Sequence, residues 1–175
     1  MAQRLIAPQR MKLKLTQSVA ANAREVLPKM ARKYFEAGRA VLSEKKAPDE
    51  LHAFRLKTKR FRYTLELFRP VYGPQLDRYL NALRTVQSAL GKVSDQQAIQ
   101  RVLGGDRALD AQINEALKKK VKGLRHEWRA FDSDGTLKRW RAYLGSDRSR
   151  PRRAKTAPAR KRRAAAKKRA AVKPG

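Results

Sequence analysis

The chain has no cysteine and only two histidines among its 175 residues. The absence of cysteine excludes disulfide bonds and thiolate-bound zinc. His52 and His126 lie far apart in the sequence, and neither has a second histidine near it. We therefore expect no histidine-based metal site in this protein.

Acidic residues are also scarce. The chain has 15 Asp and Glu against 44 Lys and Arg, which gives a formal net charge of +29. The acids are scattered, so no carboxylate clamp for metal-assisted hydrolysis is recognisable. A Gly-x-x-x-x-Gly-Lys-Ser/Thr phosphate loop is absent as well. We expect a protein that is not an enzyme, that uses no cofactor, and that has an anionic partner.

Long apolar runs and alternating strand patterns are both missing. No run approaches the length of a transmembrane helix, and the segment Met1–Pro8 lacks the apolar core of a signal peptide. These absences predict a cytoplasmic protein without membrane insertion. Apolar residues instead recur at helical spacing, which predicts an all-α fold, an antiparallel helical bundle with short loops.

The composition divides the chain into a flexible N-terminus (1–10), a helical domain (11–147) and a disordered tail (148–175) rich in Lys, Arg and Ala. The tail holds 13 of the Lys and Arg residues and no acid, so residues 1–147 retain a net charge of +16. It cannot bury enough apolar surface to fold alone. Its composition is similar to that of the basic tails of linker histones and bacterial nucleoid proteins. We read it as a polyanion-binding arm, with a non-specific solubility tail as the alternative.

The apolar pattern from Leu15 to Val41 predicts the first helix, which Pro28 should kink or divide because proline removes a backbone donor. A second helix begins at Pro48 and ends near Arg69 and Pro70. Pro48 suits its first turn.

The pattern from Leu76 to Leu90 predicts a third helix, with Gly91 as its C-terminal cap. The spacing of Ser94 to Gln97 is that of a capping box and predicts the start of a short fourth helix. The apolar residues of that fourth helix are Ala98, Ile99 and Val102. A long fifth helix spans 109–131, and a last short helix spans 137–144.

The second helix carries the densest pattern. Its run from His52 to Arg62 contains five cationic residues and no acid. At 100° per residue, one set of side chains forms a narrow apolar stripe: Leu51, Phe54, Thr58, Phe61, Leu65 and Phe68. A second set falls on an adjacent strip within about 80°: His52, Arg55, Lys59 and Arg62. This pattern predicts a packed helix with a row of cationic donors along one flank, which suits a linear polyanion.

The same charges would also fit a solvated helix face, the usual role of a charge run. Two observations weigh against that reading. Like charges at i,i+3 and i,i+4 destabilise a helix. Glu66 is the only acid between Leu51 and Gln75, so little local pairing relieves the repulsion.

The stretch from Leu51 to Phe68 resembles the signature of the CHAD family, the conserved histidine α-helical domain. It has a histidine, an arginine three positions later, a turn rich in Lys and Arg, then Arg-Tyr and an apolar end. The stretch from Leu80 to Asp95 is similar to a second landmark of that family, a leucine-spaced helix that ends in Leu-Gly and an Asp. The resemblance is strongest over 48–103 and is absent after 148.

The resemblance implies binding of inorganic polyphosphate through basic helix faces, and hence a place at polyphosphate granules. Carried onto this chain, it gives a candidate site of seven residues: His52, Arg55, Lys57, Lys59, Arg60, Arg62 and Tyr63. Members of the family usually contain two such repeats, whereas this chain shows the His-x-x-Arg signature once. A symmetric homodimer is the simplest way to supply a second repeat.

Alternatives remain open from the residues alone. His52 is either a donor to phosphate oxygen or a histidine capped at a helix start. Tyr63 either reaches phosphate through its hydroxyl or packs at the edge of the core. For the whole chain, the rival is a nucleoid-associated protein that binds DNA or RNA mainly through its tail. A scaffold that links polyphosphate granules to the chromosome is a further reading.

Overall fold

The computed structural model describes residues 13–43, 48–105 and 107–146, and these form an all-α bundle, as the sequence predicts. The helices are α1 (Val19–Ser43), α2 (Pro48–Leu67), α3 (Arg69–Tyr72), α4 (Asp77–Leu103), α5 (Arg107–Phe131) and α6 (Thr136–Gly145), with a 3-10 turn at Pro74–Leu76. The expected flexible N-terminus (1–10) and disordered tail (148–175) lie outside the described residues. Within the described ranges, no helix has the length and apolar character needed to cross a bilayer.

The core lies where α1, α2, α4 and α5 meet, and α6 closes it against α1. Tyr34 on α1 stacks on Phe54 of α2 and meets Trp128 of α5 edge-on. The apolar stripe predicted on α2 is buried at every position: Leu51, Phe54, Thr58, Phe61, Leu65 and Phe68. Burial of this stripe fixes the rotation of α2, so the cationic strip lies beside the core and not within it.

α1 begins later than the sequence pattern suggests. Leu15 is 99% exposed and lies outside the helix, which begins at Val19. The hydroxyl of Ser18 accepts a hydrogen bond from the backbone N–H of Ala21 at 3.2 Å, as an N-cap does. The Asn22 side chain fastens the preceding segment, since its amide donates to the Lys14 carbonyl at 2.9 Å. The expectation that Leu15 joins the apolar face is therefore wrong.

Pro28 does not divide the first helix. α1 runs unbroken through it from Val19 to Ser43. Buried residues lie on both sides of the proline, among them Leu27 and Ala31, so tertiary packing holds both halves in place. That packing offsets the roughly 3 kcal/mol that an interior proline costs a helix.

The predicted third and fourth helices form one continuous helix in the structure. α4 is continuous from Asp77 to Leu103, so Gly91 lies in its interior and Ser94 is not an N-cap. The reason is that Val93 continues the buried stripe past both local stop signals. α4 ends instead at Gly104, whose backbone N–H donates to the Gln100 carbonyl at 3.0 Å.

The C-terminal elements agree with the sequence pattern more closely. α5 and α6 match the predicted fifth and last helices, and the turn between them has Gly135 at φ 71°. α2 ends at Leu67, slightly before the predicted boundary near Arg69 and Pro70. The Tyr72 hydroxyl donates to the Leu144 carbonyl at 2.6 Å and fastens α3 to α6. Burial raises the pKa of Tyr72 to about 12, so this donor stays protonated at neutral pH.

Candidate functional site

The cations of α2 divide into free and engaged groups. Arg55, Lys57, Lys59 and Arg60 make no ion pair within the part of the chain that the structure describes. Lys57 and Arg60 are exposed, while Arg55 and Lys59 are half-buried beside the apolar stripe. His52 is exposed at the start of the row. Among the described residues, no salt bridge has to be broken before an anion can approach these side chains.

These cations do not all lie on one flank of α2. Arg62 bonds to α4, which shows that the strip of Arg55, Lys59 and Arg62 adjoins the groove between α2 and α4. At 100° per residue, Arg60 lies on the outer face and Lys57 on the flank away from α4. The candidate residues therefore form a row along the α2–α4 groove, with two further cations outside it.

Arg62 is the anchored member of the row. Its side chain is only 13% exposed, and its guanidinium donates to Oε1 of Glu66 at 2.5 Å. Its Nε also donates to Oε1 of Gln87 on α4 at 2.8 Å. The guanidinium carbon lies 4.3 Å from the ring centroid of Tyr63, in cation–π geometry. Arg62 thus joins α2 to α4 and has less freedom to reorganise around a ligand than Arg55 or Lys59.

Glu66 is shared by two arginines. Arg84 of α4 lies 3.4 Å from the same Oε1, and its other terminal nitrogen donates to Asn81 at 2.8 Å. One carboxylate between two guanidinium groups leaves this end of the groove with a net positive charge. The sequence pattern gave no role to Gln87. That contact joins positions 25 residues apart on two helices, so no local spacing could reveal it.

The helical register extends the groove beyond this contact. α2 and α4 run antiparallel, since Arg62 meets Gln87 while Glu66 meets Arg84. One turn further along, the same register brings Gly91 of α4 to the level of Lys59. A Cβ built at Gly91 has no atom within 4 Å, so the surface of α4 is open at this position.

Tyr63 is half-exposed on the outer face of α2, with one side of its ring covered by Arg62. It is therefore not a tyrosine at the edge of the core. Together with Leu56 and Leu67 it borders a shallow pocket of about 460 Å³ on the surface of α2. Lys59, Arg60 and Thr64 complete the lining of this pocket. Phe54 and Phe61 are buried in the core, as their place on the stripe predicts.

The family model for the CHAD domain matches residues 2–104, which include α1 to α4 and the whole basic row. The chain belongs to the CHAD family. The match ends where α4 ends, so α5 and α6 complete the core from outside the matched region. No curated protein and no solved structure shows significant similarity to this CHAD protein.

Proposed function

We propose that this CHAD protein binds inorganic polyphosphate without catalysis, along the cationic flank of α2. The observation that carries the proposal is the set of cations without an ion pair among the described residues, Arg55 and Lys59 above all, held at helical spacing on α2. The CHAD family is associated with polyphosphate binding, and its match to this chain includes these residues. The proposed cellular place is the cytoplasm, at polyphosphate granules.

The mechanism is electrostatic. Arg55 and Lys59 lie one helical turn apart, and both can donate charge-assisted hydrogen bonds to phosphate oxygens of one linear chain. Arg62, held by Glu66 and Gln87, sets the position of the groove wall and adds positive potential. Binding releases counterions, so the affinity should fall steeply as the salt concentration rises.

The surroundings of the row favour phosphate over nucleobases. Base recognition on single strands needs aromatic rings open for stacking. Phe54 and Phe61 are buried, and the Tyr63 ring already stacks on Arg62. A ligand that offers only phosphate oxygens matches what this face presents.

DNA or RNA is the second candidate ligand, and the tail is the feature that favours it. Residues 148–175 carry 13 cations and no acid, which suits non-specific contact with any phosphate backbone. In this reading the protein is nucleoid-associated and the folded domain is a minor contributor. The two readings differ in which part of the chain binds which polymer.

The row can be tested by changing Arg55→Gln and Lys59→Gln together in a chain that ends at Asp147. The buried residues that the structure describes lie between Asn22 and Leu144, so this truncation keeps all of them. We expect the affinity for polyphosphate to fall at least about tenfold, equivalent to about 1.4 kcal/mol. Titration of labelled polyphosphate at one salt concentration measures it. Arg62 is retained, because its removal would break the contact with Gln87 and leave Glu66 paired with Arg84 alone.

The matched control changes Lys119→Gln and Lys120→Gln, two exposed lysines on α5. It removes the same net charge at positions outside the row. We expect the affinity of this control for polyphosphate to stay within about twofold of the parent, since distant surface charges are largely screened. If both variants weaken binding equally, net charge alone explains the affinity and the row is not a site.

A further inference from the structure

The outer end of the α4–α5 hairpin extends past the main core. Along α4, the last residue of the core cluster is Val93. Along α5, the first residue of the cluster is Leu124. Leu117 and Val121 of α5 still pack against the cluster, and nearer the tip of the hairpin Gln100 of α4 donates a hydrogen bond to Asn114 of α5 at 2.8 Å. Ile113 is buried there, yet it is not part of the main cluster. Within the residues that the structure describes, the tip of the hairpin is thus a two-helix layer without the second layer that covers the rest of the hairpin.

The hairpin end has apolar residues on its surface. Val102 is 79% exposed and Leu103 is 51% exposed, and they are accompanied by Ile99 and Leu109. Ile99, Val102 and Leu103 lie at i, i+3 and i+4, so they share one face of α4. The sequence pattern assigned Ile99 and Val102 to a separate short helix, whereas in the structure they lie in the last turns of α4. An amphipathic stripe without a partner in the described part of the chain marks an interaction surface.

The charge of the hairpin end indicates what covers it. Residues 94–117 contain four acids and two bases, a net of −2, in a chain whose total is +29. The rest of the chain has a net charge of +31, so most other contacts between two copies would bring positive surfaces together. At the hairpin end that repulsion is absent. Arg101 and Asp110 also supply both signs of charge, so two copies can pair them across a two-fold axis.

We propose that the hairpin ends of two copies pack against each other and form a symmetric dimer. Two helical hairpins that bury one apolar face each make a four-helix bundle, which supplies the missing second layer. A two-fold axis makes the contact self-complementary and closed. The inference does not depend on polyphosphate as the ligand. It would, however, give each particle two cationic rows and two tails, which raises avidity for a long polyanion.

The test measures the oligomeric state of the full chain by sedimentation velocity. The patch is small, so we expect a reversible dimer that forms over about 1 to 200 µM. Salt near 0.3 M, roughly twice the physiological value, reduces repulsion between the tails. Val102→Glu should raise the dissociation constant at least about tenfold, because it buries an unpaired charge in the contact. Circular dichroism checks that the variant keeps its helices.

The control is Leu15→Glu, a change of the same type at a residue that is 99% exposed and remote in sequence. It should leave the dissociation constant unchanged. A chain that stays monomeric over the whole concentration range would overturn the proposal. The same holds if Val102→Glu dimerises like the parent, or if Leu15→Glu weakens the dimer equally.

Discussion

Removal of residues 148–175 is expected to weaken binding to duplex DNA by at least about 100-fold near physiological salt. The truncation takes away 13 cations and leaves a folded domain with a net charge of +16. Each phosphate that the tail neutralises adds to the salt-dependent term, so the loss of even half of those contacts is enough. Polyphosphate binding should fall much less, because the row on α2 remains.

Anisotropy titrations of a labelled duplex and of labelled polyphosphate, at one salt concentration, measure both losses. A matched control keeps the tail at full length and replaces its Lys and Arg by Gln, which separates charge from chain length. It should behave like the truncation. An equal loss for the two ligands would mean that the protein is a simple polycation without a dedicated groove.

Gly38→Ala should destabilise the fold by about 2 kcal/mol, although alanine is the better helix former. Gly38 lies inside α1, and an ideal Cβ there would clash with Cη2 of Trp128. The indole cannot move aside easily, because Phe131 packs at 5.2 Å and Phe54 at 5.5 Å between ring centroids. The overpacking therefore outweighs the gain in helix propensity. Denaturant unfolding of the parent and the variant measures the difference.

Gly91→Ala is the matched control for this substitution. Gly91 is also in a helix interior, but a Cβ there meets nothing within 4 Å. We expect this variant to be more stable by up to about 1 kcal/mol. If Gly91→Ala destabilised the protein, Gly91 would be a helix cap and α4 would be two helices. If Gly38→Ala stabilised it, Trp128 would not lie against α1.

The sequence was sufficient to predict which face of α2 is buried, because two independent patterns agree there. The apolar stripe repeats over five turns, and the charged residues fall beside it rather than within it. A one-position error in phase would bury cations, so only one rotation of the helix is acceptable. The burial of Phe54 and Phe61 follows directly from that constraint.

Predictions from the sequence were wrong where a local signal conflicted with tertiary packing between helices. Gly91 and Ser94 are residue types typical of helix ends. The helix nevertheless continues past them, because Val93 between them packs in the core. Pro28 is a similar case in α1. The hydrogen bond from Arg62 to Gln87 also could not be predicted from the sequence, because it depends on the register between two helices. Local rules describe single elements, and these features belong to pairs of elements.

The family match and the folded unit have different limits. The matched region ends at residue 104, yet Trp128 of α5 and Trp140 of α6 are buried against residues of α1. Since α5 and α6 complete the core, residues 2–104 alone would leave apolar surface open. Studies of binding should therefore use the chain at least to Leu144, the last buried residue of the described core.

The most direct test of the account is to locate polyphosphate on the folded domain. Backbone and arginine side-chain NMR signals of the chain that ends at Asp147 can be followed while a polyphosphate of defined length is added. The account predicts that the largest changes fall on His52, Arg55 and Lys59, with smaller changes at the anchored Arg62. Changes that are largest on the lysines of α5, or equal over all cations, would contradict it.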